Sequence, residues 1–247
     1  YQGVPEGRIT PVGIPHYGRY RRGTRKTRAE FFNSIGLDPA KKTILFSPLG
    51  APRLRYNDAD RIILEILQKI GLNVIVRFPP TNPVDMEGYA RPPNVAFDVP
   101  GFVFSASSQL IDSIVTDEDD LRFVNELYYS DVVVCGPTTV AVDASAFDKP
   151  IILVNFHPRG DYLDEAGESY RSVHMQYLLS TRGLRLTNSE QELLSLLRAY
   201  LENPSLDSKE RKQMAYEQCG LLDGGASERI TSFLLKELRE ADSRNKR

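Results

Sequence analysis

Six short apolar segments recur along the chain, each bounded by glycine, proline or a polar residue. They are rich in β-branched side chains and show little alternation with polar residues, which is typical of strands buried on both faces of a parallel sheet. The predicted strands are residues 43–48, 73–78, 94–99, 131–136, 150–156 and 183–187.

Amphipathic helices are predicted between these strands. In residues 58–71, isoleucine and leucine recur on one helical face, and Gly71 is the expected C-cap. Residues 117–130 open with acidic side chains, which the helix dipole favours, and residues 189–204 begin with a Ser-x-x-Glu capping box. The alternation predicts an α/β fold, a doubly wound Rossmann-like parallel sheet with helices on both faces.

Composition narrows the functional class. The 247 residues allow one large or two modest domains, and 41% hydrophobic with 26% charged residues is ordinary for a globular protein. The formal net charge of -2 lacks the basic character of nucleic-acid-binding proteins, so no nucleic-acid partner is expected. Cys135 and Cys219 show no CxxC spacing, which argues against a disulfide scaffold and favours the cytoplasm.

Membrane insertion is not expected from the sequence. No apolar run approaches the roughly 18 residues that a membrane-spanning helix needs. The first ten residues have no signal-peptide core. Any membrane contact is therefore expected to be peripheral.

A first candidate ligand-binding turn follows residues 43–48. Ligands of doubly wound sheets bind beyond the carboxyl ends of the strands. Gly50 permits close backbone approach there, and Arg53 is a partner for an anion.

The second candidate turn is Gly136-Pro137-Thr138-Thr139, which opens a predicted helix of small residues. Free amides and the positive dipole at a helix start suit a phosphate, and the two threonine hydroxyls can donate to the same anion. The alternative is that the threonines only cap the helix. One helical turn further, Asp143 is expected either to accept hydrogen bonds from ribose hydroxyls or only to complement the helix dipole.

The segment GPTTVAVDASAFDKPIILVNF, residues 136–156, resembles the C-terminal half of GT-B-type glycosyltransferases. It is also similar to the related CDP-glycerol glycerophosphotransferases and UDP-N-acetylglucosamine 2-epimerases. In all three, a Gly/Ser/Thr-rich turn ends a strand, an acidic residue follows in an Ala-rich helix, and a Lys-Pro pair introduces the next strand. GIPHYGRY (13–20) resembles the linker into that half, and DGGASERITSFLLKEL (223–238) resembles its closing helix, so the resemblance spans nearly the whole chain.

The resemblance implies two Rossmann-like domains, with the donor nucleotide held mainly by the C-terminal one. Residues 1–28 are then a basic linker and residues 29–247 a nucleotide-sugar-binding domain. The implied donor substrate is a nucleotide diphosphate-sugar; no tightly bound cofactor is implied, and a divalent cation carried by the diphosphate is left open. The implied partners are this nucleotide-sugar and an N-terminal acceptor-binding domain of the same or another chain.

The sequence departs from the glycerophosphotransferase pattern after the second strand. That branch has a Lys/Arg-Pro-His-Pro turn whose histidine serves the transferring phosphate, whereas this chain has Arg77-Phe78-Pro79-Pro80. The missing histidine favours sugar transfer over polyol-phosphate transfer. Arg77 is expected either to pair with a diphosphate or to be a solvated surface charge.

His157 is the first candidate catalytic histidine. It directly follows the predicted strand 150–156, at the sheet edge where reacting groups collect. Arg159, Asp161 and Asp164 are near it in sequence, and the imidazole pKa suits proton transfer. A turn-forming role is the alternative.

His16 is the second candidate, because the resemblance places its segment at the interdomain cleft. The alternative is a surface residue beside Tyr17. His174 is expected to be structural. No dense cluster of histidine, cysteine and acidic residues predicts a structural metal site.

Two further segments have open interpretations. Residues 19–28 carry six basic side chains and are expected to attract an anionic membrane or a lipid-linked acceptor, or else to form a solvated connector paired with the acidic helix 117–130. Residues 98–113 offer Phe102 and Phe104 for stacking on a base, or else they plug the core.

The favoured function is the donor-binding half of a glycosyltransferase that transfers a sugar from a nucleotide diphosphate-sugar to a cell-surface polysaccharide or lipid-linked acceptor. Thr138, Thr139 and Arg53 would stabilise the leaving diphosphate. The alternatives are a CDP-glycerol-type polyol-phosphate transferase, an epimerase using Asp161 and Asp164, and a non-catalytic module that binds a nucleotide or a partner chain.

Overall fold

The chain forms two compact units. The computed structural model describes residues 3–22, 25–51, 53–106, 111–160 and 169–245. One unit comprises Tyr1–Thr24 with Ala215–Arg247, and the other comprises Arg25–Met214. The predicted boundary at residue 28 is near the start of the larger unit, but the C-terminal segment groups with the N-terminal one.

A six-stranded parallel sheet forms the centre of the larger unit. The strands of the chain are β1 Thr43–Ser47, β2 Asn73–Arg77, β3 Val95–Asp98, β4 Phe102–Ala106, β5 Ile111–Ile114, β6 Val132–Cys135, β7 Ile151–Val154 and β8 Arg185–Thr187. The parallel sheet has the order β3-β2-β1-β6-β7-β8. Each of its six strands falls within a predicted segment, so the strand predictions and the α/β class are confirmed.

The inner strands are buried throughout because both faces of the sheet are covered. Every residue of β1, β2, β6 and β7 is buried. Within the ladder, Ile44 of β1 pairs with Val74 on one side and Val132 on the other. Such continuous burial is what an unbroken β-branched run indicates in sequence.

The helices are distributed over both units. They are α1 Gly18–Arg22, α2 Arg28–Ser34, α3 Ala59–Gln68, α4 Asp117–Tyr129, α5 Val140–Ala146, α6 Val173–Ser180, α7 Glu190–Glu202, α8 Ser208–Cys219 and α9 Ala226–Asn245. The predicted helices 58–71, 117–130 and 189–204 are confirmed as α3, α4 and α7. Helix α3 ends earlier than expected: its C-cap is Lys69, and Gly71, at a φ of +79°, lies two residues beyond.

Within the smaller unit, an arginine on α9 connects this helix with the N-terminal segment. Arg229 donates to the carbonyl of Val12 over 2.9 Å and makes two hydrogen bonds of 2.8 and 2.9 Å to Asp223. Among the described residues, no helix combines the length and apolar character needed to cross a membrane.

The end of the basic segment packs against the C-terminal end of α4. The Arg25 guanidinium lies 4.2 Å from the ring centroid of Tyr128, and Arg28 donates to the carbonyls of Pro39 and Tyr129. Residues 23 and 24 lie outside the described residues, and attraction to a membrane or lipid-linked acceptor stays a prediction.

Strands β4 and β5 form an antiparallel hairpin that the sequence did not predict. Phe102 is 66% exposed and Phe104 is 63% exposed. The interpretation of this segment as a core plug is therefore wrong, because a plug would bury these rings. Residues 107–110 lie outside the described part of the chain, and base stacking stays a prediction.

Arg77 lies in a buried ion-pair network rather than on the surface. It is 8% exposed, it pairs with Asp98, and its Nη1 lies 3.4 Å from Glu126 Oε2. Its guanidinium also lies 4.3 Å from the ring centroid of Phe123. The surface-charge interpretation is corrected, and since the side chains of Asp98 and Glu126 already surround the buried guanidinium, the geometry does not favour diphosphate binding by Arg77.

The same network contains Glu126, whose pKa is shifted by its surroundings. Burial raises the pKa of Glu126 well above its ordinary value; Arg77 opposes this rise, and the neighbouring Asp98 adds to it. Burial thus favours the protonated form of the Glu126 carboxyl group.

The loop after β1 packs tightly on the loop after β2. Asp60, which is fully buried, accepts hydrogen bonds from the amides of Leu49 and Gly50 over 3.2 and 2.7 Å. A Cβ at Gly50 would lie 2.9 Å from Asn82 Cβ and 2.9 Å from the Pro83 carbonyl oxygen. Gly50 therefore permits the approach of protein backbone.

The substitution Glu126→Gln removes the titration of this carboxyl group while keeping its shape. Since the folded-state pKa is raised above about 4.5, wild type should lose free energy of unfolding relative to the variant as the pH rises through that value. The loss is at most about 1.4 kcal/mol per pH unit until the folded-state pKa is passed. Urea unfolding between about pH 5 and pH 8.5 measures it. Glu202→Gln, at an exposed position of α7, is the control, and a difference that does not change with pH would contradict the raised pKa.

Gly50→Ala should destabilise the fold more than Gly36→Ala does. Both glycines have a φ of +72°, but at Gly36 no heavy atom lies within 4 Å of an added Cβ. The Gly36 variant should lose about 1 kcal/mol from the left-handed backbone alone. The Gly50 variant should lose about 1–3 kcal/mol more, because the neighbouring loop has to move. Urea unfolding compares them, and equal losses would show that the close approach carries no energetic weight.

Candidate functional site

The candidate site lies at the carboxyl edge of the sheet, where the strand order reverses. Strands β1 and β6 are neighbours, with β2 on the far side of β1 and β7 on the far side of β6. Connections that diverge in this way leave a crevice between the two strand ends. The loop 48–58 and the turn 136–139 both leave the sheet at this point.

The turn after β6 is ordered by its own hydrogen bonds. Thr138 Oγ1 accepts from the amide of Val140 over 3.0 Å, and the Thr138 amide donates to the carbonyl of Gly136 over 2.9 Å. Thr139 is exposed, and its hydroxyl makes no capping bond. The structure thus supports the capping alternative for Thr138, whose O–H can still donate to a ligand.

Helix α5 offers less to an anion than the sequence suggested. It spans only seven residues, and the amides of Val140 and Ala141 already donate to Thr138. A cradle of free amides is therefore not formed. The threonine hydroxyls are donors that this turn still offers.

Asp143 lies on α5 and is half-buried. Burial raises the pKa of the neighbouring Cys135 thiol to about 12, and the Asp143 charge adds to the rise. Cys135 is thus a protonated core thiol rather than a nucleophile. Ribose binding by Asp143 stays a prediction.

A second group of side chains joins the loops that follow β1 and β7. The Tyr56 ring stacks on the His157 imidazole at 4.4 Å, the Arg159 guanidinium lies 4.4 Å from the Tyr56 ring centroid, and Tyr56 Oη donates to the Arg159 carbonyl over 2.9 Å. Arg159 Nη2 also pairs with Asp58 Oδ1. Since β6 lies between β1 and β7, these loops meet across the end of β6.

One ring nitrogen of His157 is hydrogen-bonded to the backbone. Its Nδ1 accepts from the Arg159 amide over 3.0 Å, so Nε2 carries the proton of the neutral ring. Burial lowers the pKa of His157, although Asp58 opposes the shift. With its accepting lone pair occupied, the neutral ring can donate through Nε2. His157 also orders the turn, because His157 and Gly160 exchange backbone hydrogen bonds. Proton transfer by His157 stays a prediction.

The other predicted site residues lie in different surroundings. Gly50 packs against protein, Arg53 is exposed after β1, and Arg77 lies in the buried network. His16 is exposed on a 3-10 turn of the smaller unit, next to the rings of Tyr17 and Tyr20. The catalytic role of His16 stays a prediction.

Several remaining predictions have no direct test. His174 is an exposed residue of α6. Asp161 and Asp164 lie outside the described residues. Within the described ranges, no three histidine, cysteine or acidic residues are grouped so that they could hold a metal ion. Cation binding with a diphosphate stays a prediction.

Tyr56 and Asp58 were missed in the sequence analysis. The available signal was their position, immediately before a predicted helix and in the loop that follows a predicted strand. Neither tyrosine nor aspartate is by itself specific for a functional site. Only their contact with residues 157–159 in the folded chain marks them as candidate site residues.

Comparisons with known proteins bear on the fold. No protein-family model matches the chain, and no curated protein matches it. Solved structures do: the wall teichoic acid polymerase TagF has a TM-score of 0.60 at 16% identity, covering 96% of this chain and 54% of that chain.

Two further structures agree. MnaA of S. aureus, solved with UDP, has a TM-score of 0.55 at 14% identity, covering 96% of this chain and 57% of that chain. UDP-GlcNAc 2-epimerase from Neisseria meningitidis, bound to UDP-GlcNAc, has a TM-score of 0.52 at 14% identity, covering 95% of this chain and 57% of that chain. The chain thus spans just over half the length of each, and at these identities the similarity establishes the fold alone.

The resemblance noted in the sequence is thereby confirmed for the architecture: this chain has the α/β fold of one half of a GT-B, glycosyltransferase-like protein.

Proposed function

We propose that this chain is the donor-binding half of a glycosyltransferase that uses a nucleotide diphosphate-sugar. The observation that carries the proposal is the arrangement at the strand-order reversal, where the threonine turn after β6 lies between the loops that follow β1 and β7. It is supported by the GT-B-like neighbours, of which MnaA was solved with UDP and the epimerase with UDP-GlcNAc.

The diphosphate would lie against the turn 136–139. Thr138 and Thr139 would donate hydroxyl hydrogen bonds to it, and Arg53, exposed on the adjacent loop, would supply positive charge. Donors already fixed in position stabilise the charge that develops on a leaving diphosphate. No covalent protein intermediate is required.

Asp143 would accept from the ribose hydroxyls, one helical turn beyond the phosphates. The acceptor, a cell-surface polysaccharide or lipid-linked molecule, would bind to an N-terminal domain supplied by the same or another chain. The neighbours are nearly twice as long as the region they share with this chain, which leaves room in such proteins for that second domain.

A polyol-phosphate transferase of the CDP-glycerol type is the second candidate. It is supported by the neighbour TagF, a wall teichoic acid polymerase of which a variant was also solved after a soak with CDPG. The missing histidine at residues 77–80 weighs against it. Calorimetry with UDP, CDP and GDP separates the candidates: preference for CDP supports the polyol-phosphate reaction, and preference for UDP or GDP supports sugar transfer.

Thr139→Glu should weaken the binding of the preferred nucleoside diphosphate at least about tenfold. The carboxylate would repel the diphosphate at the turn, and tenfold corresponds to about 1.4 kcal/mol, the scale of one lost charge-assisted contact. Calorimetric titration measures the dissociation constant. Because Thr139 is exposed and makes no capping bond, the fold should tolerate the change.

The matched control is Thr139→Gln, which adds similar bulk without charge and should change the dissociation constant by no more than about threefold. Equal affinity in wild type and both variants would remove the turn from the proposed site. A wild-type chain that binds none of the three nucleotides would leave only the non-catalytic, partner-binding module.

A further inference from the structure

One buried hydrogen-bond donor of the larger unit is unsatisfied. The His157 side chain is 1% exposed, and its Nε2 finds no hydrogen-bond partner among the described residues. Since Nδ1 accepts from the Arg159 amide, Nε2 carries the N–H. A buried donor left unpaired lowers the stability of the fold by about 1–3 kcal/mol. The unpaired Nε2–H of His157 therefore calls for a physical reason.

The nearest acceptor is already in use. Asp58 Oδ1 lies 3.4 Å from His157 Nε2 without the geometry of a hydrogen bond, and the same oxygen accepts from Arg159 Nη2. The Asp58 carboxylate is drawn towards the guanidinium because a charged partner is favoured over a neutral imidazole N–H.

The two donors, Arg159 and His157, differ in how freely their side chains can move. The Arg159 side chain is 56% exposed and the Asp58 side chain 29% exposed, so both can turn. The imidazole cannot, since it is buried, stacked on Tyr56 at 4.4 Å and anchored through Nδ1. A rearrangement at this cluster would therefore move Arg159 and Asp58 around a fixed ring.

We propose that Arg159 is an anion-binding residue that pairs with Asp58 while no ligand is bound. When Arg159 moves to a phosphate group of the ligand, His157 Nε2 donates to the Asp58 carboxylate in its place. This inference rests on the proposed function, because the phosphate is that of a nucleoside diphosphate at the neighbouring turn 136–139. In the ligand-free state Arg159 is paired and the imidazole N–H is unpaired. In the ligand-bound state both donors have acceptors.

The exchange explains why an arginine ion pair can yield to a ligand. Releasing Arg159 from Asp58 costs the ion pair, but Asp58 then gains a hydrogen bond from His157, and the buried N–H ceases to be unsatisfied. The Arg159 guanidinium regains a partner of equal charge in the phosphate, whose geometry suits an arginine fork. The net cost of opening is thereby reduced.

Calorimetry with UDP and uridine on the whole chain tests the proposal. Arg159→Ala should weaken UDP binding about tenfold, the value of one charge-assisted contact, and should leave uridine binding unchanged, because uridine has no phosphate. Asp58→Asn should strengthen UDP binding about threefold or more, since the amide releases Arg159 yet still accepts from His157. Arg198→Ala, at an exposed position on α7, is the charge-matched control and should bind UDP as wild type does.

A second measurement is read on the wild-type chain. In the nitrogen-proton spectrum of wild type, the His157 Nε2–H resonance, assigned by its loss in His157→Gln, should move downfield on saturation with UDP and should not move with uridine. If wild type binds UDP, either of two results overturns this inference alone. The first is that Arg159→Ala binds UDP within about twofold of wild type. The second is that the imidazole resonance of wild type does not move. Wild type that binds no nucleoside diphosphate overturns the proposed function and this inference with it.

Discussion

The hydrogen-bonded position of β6 between β1 and β7 is the constraint on which the candidate site depends. Because all three strands run parallel, their carboxyl ends open at one edge, and the connections that follow β1 and β6 diverge. The loops after β1 and β7 reach each other only across the end of β6, where Tyr56 and Asp58 meet His157 and Arg159. The chemistry at this edge is thus a consequence of strand order.

Burial separates two arginines that look alike in sequence. Arg77 and Arg159 each follow or end a predicted strand at the same edge of the sheet. Arg77 is enclosed by Asp98, Glu126 and the Phe123 ring, so its charge stabilises the interior. Arg159 is paired with a single, partly exposed carboxylate and keeps much of its surface in water. Only the second arrangement leaves a cation able to change partners.

Close packing beneath the site supports it without taking part in chemistry. Asp60 fixes the amides of Leu49 and Gly50, and the loop after β2 fills the space beside Gly50. A residue chosen in sequence for its freedom to approach a ligand is therefore used to approach protein. The half-GT-B architecture is a scaffold of this kind, rigid at the strand ends and variable in what its loops present.

Local pattern was sufficient for the parallel sheet and its main helices, since apolar runs, helical periodicity and caps depend on neighbours in sequence. It predicted the six parallel strands and α3, α4 and α7, and it indicated the threonine turn. Tertiary structure decided the roles: Arg77 meets Glu126 across 49 positions, and Arg159 meets Asp58 across 101. Whether an arginine is buried or partly exposed is set by these distant partners, whose identity no local pattern encodes.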